Sequence, residues 1–259
     1  MPFHIELPDT FTARVAAGTT PALGLWVCSG SACAAEIVAG SGCDWVLVDG
    51  EHSPVGLESV SAILRATAAY RSVSPVVRVP VCDVALIKQY LDLGAQNIMV
   101  PMIDTAEDAA QAVAAMHYPP RGVRGVGSAL ARSSRWNRVP DYLTRAGSLV
   151  SLTVQIESTT AVDNAEAIAA TDGVDAIFIG PSDLAASMGL IGQQSHPDVL
   201  AAVDHAMTAA KKHGTLVGVN AFDPAQARAY IDRGADFINL AADVQLLARA
   251  TENTISAMR

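Results

Sequence analysis

Short apolar runs alternate with longer alanine-rich stretches along almost the whole chain, and this alternation restricts the fold more than any other feature. Eight runs have the length and composition of buried strands, at residues 22–28, 45–49, 75–79, 97–101, 150–156, 176–180, 216–220 and 237–240. The stretches between them have helical spacing, as at 55–70, 84–93, 106–116, 161–170, 199–213, 224–232 and 244–258. Strands that each precede a helix predict an α/β fold, a single (β/α)₈ TIM barrel over residues 1–259. A doubly wound parallel sheet is the alternative.

A repeated glycine pattern separates the two ends of the predicted barrel. Glycine follows a helix and a polar residue precedes a strand in Gly42-Cys43-Asp44-Trp45, Gly94-Ala95-Gln96-Asn97, Gly173-Val174-Asp175-Ala176 and Gly234-Ala235-Asp236-Phe237. Glycine commonly ends helices in the left-handed conformation, so these segments are interpreted as structural turns. Their aspartates are therefore not candidates for catalysis. The opposite strand ends carry Asp49, Glu51, His52, Arg78, Gln155, Glu157, Ser182, Asp183, Asn220 and Asn239. Barrel enzymes place their chemistry at that carboxyl-terminal face.

Composition narrows the possible partners. A net charge of −9 argues against a nucleic-acid or anionic-membrane surface, because such surfaces need clustered basic side chains. A small-molecule substrate is the better expectation. The first residues lack the pattern of a signal peptide, and no apolar stretch reaches the length of a membrane span, so we expect a cytoplasmic protein. Four cysteines without metal-site spacing are interpreted as reduced packing residues: Cys28, Cys33, Cys43 and Cys82.

The residue types at the strand ends indicate a class of chemistry. The only lysines, Lys88, Lys211 and Lys212, fall in helical stretches, whereas carboxylates follow the strands. An imine requires a lysine in the site, but a divalent ion requires only oxygen ligands. The pattern therefore favours metal-assisted carbonyl chemistry over Schiff-base chemistry.

Spacing gives these groups a geometry. Because side chains alternate along a strand, Gln155 should lie one layer below Glu157 on the same face. Asp183 follows Gly180-Pro181-Ser182 and is predicted to begin a helix, where free backbone N–H groups attract anions. Two carboxylates would leave room on Mg²⁺ or Mn²⁺ for water and a chelating 2-oxo acid.

Structural roles remain open for each of these residues. A single strand-end Asp or Glu is often a solvated loop residue or a helix cap, and this applies also to Asp49, Glu51 and His52 as a group. Arg78 ends an apolar strand and must have an anionic or strongly polar partner. That partner is either a ligand or a carboxylate of the barrel itself.

Residues 118–145 form an arginine-rich insertion in an otherwise acidic chain. It holds Arg121, Arg124, Arg132, Arg135 and Arg138. These side chains could bind a distal carboxylate or phosphate of a substrate, or they could pair with acidic helices or a neighbouring subunit. The Gly122-Val123-Arg124-Gly125-Val126-Gly127 segment fits neither a Walker loop nor a dinucleotide fingerprint, and no Gly-x-Ser-x-Gly elbow occurs. Hydrolase and dehydrogenase functions are therefore disfavoured.

The chain resembles the class II pyruvate-dependent aldolases of the HpcH/HpaI type, a family known through 4-hydroxy-2-oxoheptanedioate aldolase and through 2-keto-3-deoxy sugar acid aldolases. The resemblance runs from Gly24 to the last helix. Its most specific segments are Asp44-Trp45-Val46-Leu47-Val48-Asp49-Gly50-Glu51-His52, Leu86-Ile87-Lys88-Gln89, Gly94-Ala95-Gln96, Tyr118-Pro119-Pro120, Arg124-Gly125-Val126-Gly127, Gln155-Ile156-Glu157-Ser158 and Phe178-Ile179-Gly180-Pro181-Ser182-Asp183-Leu184.

The resemblance implies metal-dependent, reversible cleavage of 4-hydroxy-2-oxo acids to pyruvate, or an analogue such as hydroxypyruvate, and an aldehyde. It implies that Glu157 and Asp183 hold Mg²⁺, Mn²⁺ or Co²⁺ and that Arg78 contacts the keto oxygen. It assigns His52 and Asp49 as a catalytic dyad, and Gln155 and the Ser182 backbone as further substrate contacts. Ser182 stands where several members have alanine. The family also implies a homo-hexamer, a trimer of dimers, with the last helix exchanged between subunits.

Two other functions remain possible from the sequence. A citrate-lyase-type barrel that cleaves an acyl-CoA would need room and cations for the nucleotide, and the acidic chain argues weakly against it. A non-catalytic barrel subunit would tolerate loss of site residues, whereas the full set is present here.

Overall fold

The computed structural model describes residues 4–259, which form a closed eight-stranded parallel barrel. The strands are β1 (Ala22–Val27), β2 (Trp45–Asp49), β3 (Ser74–Arg78), β4 (Asn97–Val100), β5 (Ser151–Ile156), β6 (Ala176–Ile179), β7 (Leu216–Asn220) and β8 (Phe237–Ala242). Closure occurs between the first and last strands, where Ala22 pairs with Phe237 and Leu23 with Ile238. The predicted TIM barrel is confirmed, and the doubly wound alternative is wrong because an open sheet would leave these two edges unpaired.

The helices largely follow the predicted spacing. They are α1 (Phe11–Ala17), α2 (Ala32–Ala39), α3 (Leu57–Ala66), α4 (Val84–Asp92), α5 (Ala106–Met116), α6 (Tyr142–Arg145), α7 (Thr159–Asp163), α8 (Ala165–Ala169), α9 (Pro181–Ser187), α10 (Pro197–Lys212), α11 (Pro224–Asp232) and α12 (Asp243–Ser256). The helix predicted at 161–170 is instead divided between α7 and α8 at Asn164, whose backbone leaves the helical region. Helices α1, α2 and α6 were not predicted, because seven, eight and four residues hold too few turns to show a periodicity.

The aspartates of the glycine turns have the structural role expected from the sequence. Asp44 accepts a hydrogen bond from the backbone N–H of Leu23 at 2.8 Å, and Asp175 accepts one from Leu152 at the same distance. Asp236 likewise accepts the N–H of Val217 at 2.7 Å. Each carboxylate thus ties the start of its strand to the preceding strand. The preceding glycines all have positive φ, between 92° and 99°.

Aromatic rings fill the lower part of the barrel. Trp45, Phe178 and Phe237 pack together, with ring centroids 5.5–6.2 Å apart, and Phe11 from α1 closes the amino-terminal end beneath them. Gly24 leaves the space for the Trp45 ring, because a Cβ there would lie 2.2 Å from it. The lower barrel is therefore solid, and any cleft must lie at the upper end.

The arginine-rich insertion is tied to the barrel by its own contacts. Arg124 is buried and pairs with Asp92 of α4 at 2.8 Å, while its guanidinium stacks on Tyr118. Arg121 lies 3.6 Å from Asp172. Arg132 donates to the carbonyls of Leu93 and Leu64. The expected pairing with an acidic helix is found for Arg124, whereas Asp172 lies in the turn after α8.

The structure also bears on the expectations for membrane spans and for the cysteines. Within residues 4–259, no helix is long and apolar enough to cross a membrane. All four cysteines are free, but only three are partly buried. The packing role predicted for Cys33 is wrong, because α2 turns that side chain to the surface.

Candidate active site

A cleft of about 360 Å³ opens at the carboxyl-terminal ends of the strands. The predicted residues that line it are Asp49, His52, Arg78, Gln155, Glu157, Ser182, Asp183 and Asn220. Glu51 lies beside it, in contact with Arg78, whereas Asn239 is fully buried below the cleft. The lysines stay outside, on α4 and α10, so no lysine is placed for an imine. The structure therefore gathers the predicted carboxylates, arginine and histidine into one site.

Asp49 is the most heavily bonded carboxylate of the cleft. Its Oδ1 accepts hydrogen bonds from Arg78 Nε at 2.9 Å and from the backbone N–H groups of Glu51 and His52 at 3.0 and 3.3 Å. Its Oδ2 accepts the Ser53 hydroxyl at 2.9 Å. Burial by itself would raise the pKa of Asp49, but the guanidinium and these donors together lower the pKa below its usual value. Asp49 is therefore a fixed anion that shapes the loop after β2.

Arg78 is held on three sides. Asp49 contacts its Nη2 at 2.8 Å, and Glu51 Oε2 lies 2.9 Å from its Nη1. The guanidinium stacks on the ring of Trp26 at 4.4 Å, and Trp26 is itself fixed by a 2.8 Å hydrogen bond from its indole N–H to Asn220. Of the two kinds of partner that the sequence left open for Arg78, the structure shows carboxylates, those of Asp49 and Glu51. Nη1 also points toward Gln155 Oε1, which is 3.5 Å away at the inner wall of the cleft.

Glu157 is a buried carboxyl with a supporting amide below it. Gln155 donates to its Oε1 at 2.6 Å, which confirms the layer order predicted from the strand period. The backbone N–H of Met102 donates to Oε2 at 3.3 Å. Gly180 allows this packing, because a Cβ there would lie 2.5 Å from Glu157 Oε1. Burial first and the charge of Asp183 second raise the pKa of Glu157 to about 8.

Asp183 approaches from the first turn of α9. That helix begins at Pro181, two residues before the predicted start, and Gly180 is its N-cap. Ser182 and Asp183 are exposed to the cleft, and the Ser182 hydroxyl accepts a hydrogen bond from Gln194 at 3.1 Å. Asp183 is close enough to Glu157 for its charge to disfavour ionisation of that carboxyl.

The donor set fits a hard divalent cation. Glu157 and Asp183 offer only oxygens, and a cation between them would offset both the desolvation of Glu157 and its repulsion by Asp183. Across the described part of the chain, no group of three or more His, Cys, Asp or Glu side chains is arranged to hold a metal. A cation held by Glu157 and Asp183 would keep open positions for water or substrate, as catalytic sites require.

His52 lies at the rim of the cleft with a side chain that is 66% exposed. Asp49 accepts the backbone N–H of His52, and within residues 4–259 its carboxylate forms no hydrogen bond or ion pair with the His52 ring. The carboxylate nearest the ring is Glu51, whose Oε2 lies 3.9 Å from His52 Nε2. Asp49 is thus linked to His52 through the backbone N–H of His52. The Glu51 carboxylate lies between the His52 ring and Arg78.

Several cleft residues were missed from the sequence. They are Trp26, Cys28, Ser53, Phe178, Pro181, Phe222, Ala242 and Val244. Burial raises the pKa of the Cys28 thiol to about 11, so this cysteine stays a neutral wall residue. Asp243 fixes the loop beside it by accepting the Cys28 N–H at 2.8 Å and the Ser29 hydroxyl at 2.6 Å. Of these residues, only Trp26 and Cys28 could have been indicated by the sequence, because they lie at the end of a predicted strand.

Known proteins are similar to this chain along nearly its full length. The family described as HpcH/HpaI aldolase/citrate lyase matches residues 22–250. A hydroxypyruvate/pyruvate aldolase of Deinococcus radiodurans is 50% identical over 98% of this chain and 91% of its own length. A 4-hydroxy-2-oxo-heptane-1,7-dioate aldolase of Salmonella dublin is 45% identical over 95% of this chain and 93% of its own length. A solved HpcH/HpaI aldolase/citrate lyase family protein from Burkholderia cenocepacia superposes with a TM-score of 0.92 at 43% identity, covering 96% of this chain and 98% of that one.

Proposed function

The chain belongs to the HpcH/HpaI aldolase/citrate lyase family, and from that premise we propose that it is a divalent-metal-dependent pyruvate aldolase. It reversibly cleaves 4-hydroxy-2-oxo acids into an aldehyde and pyruvate, or a pyruvate analogue such as hydroxypyruvate. The relatives described above are named as aldolases, and the candidate site contains the groups that this carbon–carbon lyase reaction needs. The observation that carries the proposal is the buried Glu157 carboxyl, supported by Gln155 and facing the same cleft as Arg78.

Glu157 and Asp183 are the proposed ligands of Mg²⁺, Mn²⁺ or Co²⁺. When bound, the ion supplies positive charge that stabilises the enolate oxygen of pyruvate. Arg78 donates to the same oxygen, and its hydrogen bond strengthens as negative charge develops there. Gln155 and the Ser182 backbone complete the contacts to the oxo acid. These groups are fixed before substrate binds, so little reorganisation is needed during the reaction.

His52 is the proposed proton carrier. Its imidazole removes a proton from C3 of pyruvate and returns it to the aldehyde oxygen as the new carbon–carbon bond forms. Cleavage follows the same path in reverse. Asp49 holds the loop that carries His52 through the backbone N–H groups of Glu51 and His52, and it holds Arg78 directly. Asp49 therefore sets the distance between the base and the arginine.

The proposed assembly is a homo-hexamer, a trimer of dimers, with helix α12 exchanged between subunits. Helix α12 and the segment just after it expose apolar side chains, namely Val244, Leu246, Leu247, Ile255 and Met258. Such a row on a terminal helix is suited to packing against a second subunit. Light scattering of the purified protein tests the stoichiometry. A cytoplasmic location stays a prediction from the sequence.

Proton NMR of pyruvate in D₂O tests the proposed reaction without knowledge of the aldehyde. The metal-stripped protein is incubated with pyruvate, with and without Mn²⁺, Mg²⁺ or Co²⁺, and loss of the methyl signal is followed after removal of the ion. Exchange that depends on the metal supports enolate formation. Absence of exchange with every ion contradicts the proposal, and cleavage of acyl-CoA esters would then distinguish a citrate-lyase-type enzyme from a non-catalytic barrel.

A further inference from the structure

A second cavity lies at the amino-terminal end of the barrel, on the side opposite the candidate active site. Its volume is about 320 Å³, which suits a small organic ligand. Ser74, the first residue of β3, lines this cavity, whereas Arg78, the last residue of the same strand, lines the cleft. The packed core of the barrel lies between them. A substrate in the cleft of this barrel therefore cannot reach the cavity.

Four arginines line the cavity, and two of them belong to the arginine-rich insertion. They are Arg14 of α1, Arg71 in the turn before β3, and Arg132 and Arg135 of the insertion. A Cβ placed on Gly94 would lie 2.7 Å from Arg132 Nη1 and 3.0 Å from Arg135 Nη1, so these two guanidinium groups converge on one point. Like charges repel at such a separation, and an arginine cannot lose its proton to relieve the repulsion.

None of these four arginines has a carboxylate partner within residues 4–259. The arginines that form ion pairs in that range are Arg78, Arg121, Arg124, Arg233 and Arg249. Two carboxylates, Glu6 and Asp9, do line the cavity, but they are exposed and are absent from these pairs. The positive charges of the cavity are therefore not neutralised by contact with a protein carboxylate.

The pKa values of the two insertion arginines reflect the same imbalance. Burial first and neighbouring arginines second lower the pKa of Arg132 to about 10, and burial also lowers the pKa of Arg135. Arg124 provides the contrast within the same insertion. Burial would lower its pKa too, but Tyr142 and the Asp92 carboxylate outweigh burial and raise it. An anion in the cavity would act on Arg132 and Arg135 as Asp92 acts on Arg124.

Part of the guanidinium surface is available to a ligand. Arg132 donates to the carbonyls of Leu93 and Leu64, and Arg135 donates from Nη1 to the carbonyl of Arg132. These acceptors carry only partial charge, so they satisfy N–H groups without cancelling the two positive charges. In the described part of the chain, Arg135 uses Nη1 alone in hydrogen bonds to protein, which leaves Nε and Nη2 as free donors.

The backbone that presents Arg135 has a strained conformation. Arg135, Trp136 and Asn137 are consecutive residues with left-handed φ values of 51°, 55° and 62°. Side chains other than glycine rarely adopt this conformation, and it persists where surrounding contacts fix it. The fully buried Ser134 hydroxyl provides one such contact, because it accepts the N–H of Asn137 at 2.9 Å. The turn thus holds Arg135 beside Arg132 despite their repulsion.

We propose that this cavity is a binding site for a small anion that carries at least two negative charges on phosphate or carboxylate oxygens. Arg132 and Arg135 bind one oxyanion group, since a planar guanidinium matches two oxygens at once. Arg14 adds positive charge from α1, and the apolar side chains of Leu64 and Val73 contact the rest of the ligand. The site is independent of the proposed function, because none of its residues lines the cleft.

Calorimetric titration of the metal-stripped protein at constant ionic strength tests the site. The probes are inorganic phosphate and pyrophosphate for a phosphate ligand, and citrate for a polycarboxylate. We expect saturable binding of at least one probe with a Kd below about 1 mM. Binding of the phosphates alone would identify a phosphate ligand, and binding of citrate alone a polycarboxylate. A Kd above about 1 mM for all three probes would overturn the proposal.

Arg135→Gln locates the bound anion. It removes one guanidinium and should weaken the Kd by about tenfold or more. Arg121→Gln is the matched control, because Arg121 belongs to the same insertion but lies beside Asp172, outside the cavity. Its Kd should equal that of the unaltered protein. Equal weakening in both variants would overturn the proposal, since it would reflect net charge alone, and so would an unchanged Kd in Arg135→Gln.

Arg14→Gln reaches the same cavity from a different element. Thermal unfolding shows whether Arg135→Gln is folded, and if it is not, Arg14→Gln decides the question. We expect Arg14→Gln to weaken the Kd by about fivefold or more, and an unchanged Kd would overturn the proposal. Pyrophosphate should also raise the Tm of the unaltered protein as its concentration increases, because a ligand that binds only the folded state stabilises it.

Discussion

Gln155 lies one layer beneath Glu157 on strand β5 and donates a 2.6 Å hydrogen bond from its Nε2 to Glu157 Oε1. Both side chains are almost fully buried. The amide therefore fixes the carboxyl at the bottom of the cleft and leaves the other oxygen to the Met102 N–H and to a cation. Supporting bonds of this kind orient metal ligands and raise metal affinity.

Gln155→Met should weaken binding of Mn²⁺ by about 10- to 100-fold, because Glu157 would lose the donor that orients it. Calorimetric titration of the metal-stripped protein measures the effect. Thr153→Val is the matched control, since Thr153 is buried one layer further down the same strand and lies outside the cleft. Equal affinity in Gln155→Met and the unaltered protein would show that Gln155 does not support the metal site.

Metal binding should release a proton from Glu157. Its pKa is raised to about 8, so the carboxyl is mostly neutral in the metal-free protein at about pH 7, whereas a metal ligand must be ionised. Because the pKa of Glu157 is higher in the folded protein than in the unfolded chain, the neutral carboxyl stabilises the metal-free fold. This contribution to the free energy of unfolding is fully present below the ordinary glutamate pKa and is lost as pH rises through about 8. Titrations in buffers of different ionisation enthalpy should give close to one proton per ion at about pH 7 and few at about pH 9. Proton release that is the same at about pH 7 and about pH 9 would contradict the assignment of Glu157 as a metal ligand.

His52→Ala should lower turnover by about 10²- to 10⁴-fold, the usual loss for a missing acid–base group, while the affinity for Mn²⁺ stays the same. Within residues 4–259 the His52 ring forms no hydrogen bond or ion pair with Glu157 or Asp183, so the proposed ligands should keep their positions. His205→Ala on the exposed side of α10 provides the control. A weaker metal site in His52→Ala, rather than slower chemistry, would make His52 a ligand and remove its role as base.

Asp49→Asn should destabilise the protein by about 3 kcal/mol at about pH 7, because Arg78 is buried and would lose the stronger of its two partners. The pKa of Asp49 is lowered, so its stabilisation is present above the unfolded value of about 3.9 and is lost as pH falls through the folded value. Urea unfolding should therefore show the variant and the unaltered protein converging in acid. Asp198→Asn, at the exposed start of α10, should change stability by less than about 0.5 kcal/mol. If the two free energies of unfolding differed by the same amount at low pH, the charge of Asp49 would not contribute to stability.

The parts of the site that follow from local spacing could be predicted from the sequence. Side-chain alternation placed Gln155 below Glu157, and glycine with a polar residue marked the turns in which Asp44 and Asp175 bind the backbone. The support of Arg78 by Trp26 could not be predicted, because it depends on how far each strand is shifted when the barrel closes.

The carboxylate nearest to the His52 ring, Glu51, was equally hidden. Asp49, Glu51 and His52 lie within four residues, and their spacing allows either carboxylate to face the ring. The loop after β2 decides between them, because Asp49 uses its Oδ1 on the backbone N–H groups of Glu51 and His52. Hydrogen bonding of a side chain to its own loop leaves no periodic signal in the sequence.

Gly24→Ala should destabilise the barrel by about 1–3 kcal/mol, the usual cost of forcing an extra methyl group into a packed core. The new Cβ would lie 2.2 Å from the Trp45 ring, which is itself fully buried against Phe237 and Phe11 and has no room to retreat. Gly56→Ala is the matched control, because a Cβ there meets no atom within 4 Å and the backbone φ of −92° suits alanine. Urea unfolding followed by tryptophan fluorescence compares the two variants. If they unfold at the same midpoint, the ring of Trp45 moves more easily than its packing indicates, and the lower barrel is less rigid than the structure implies.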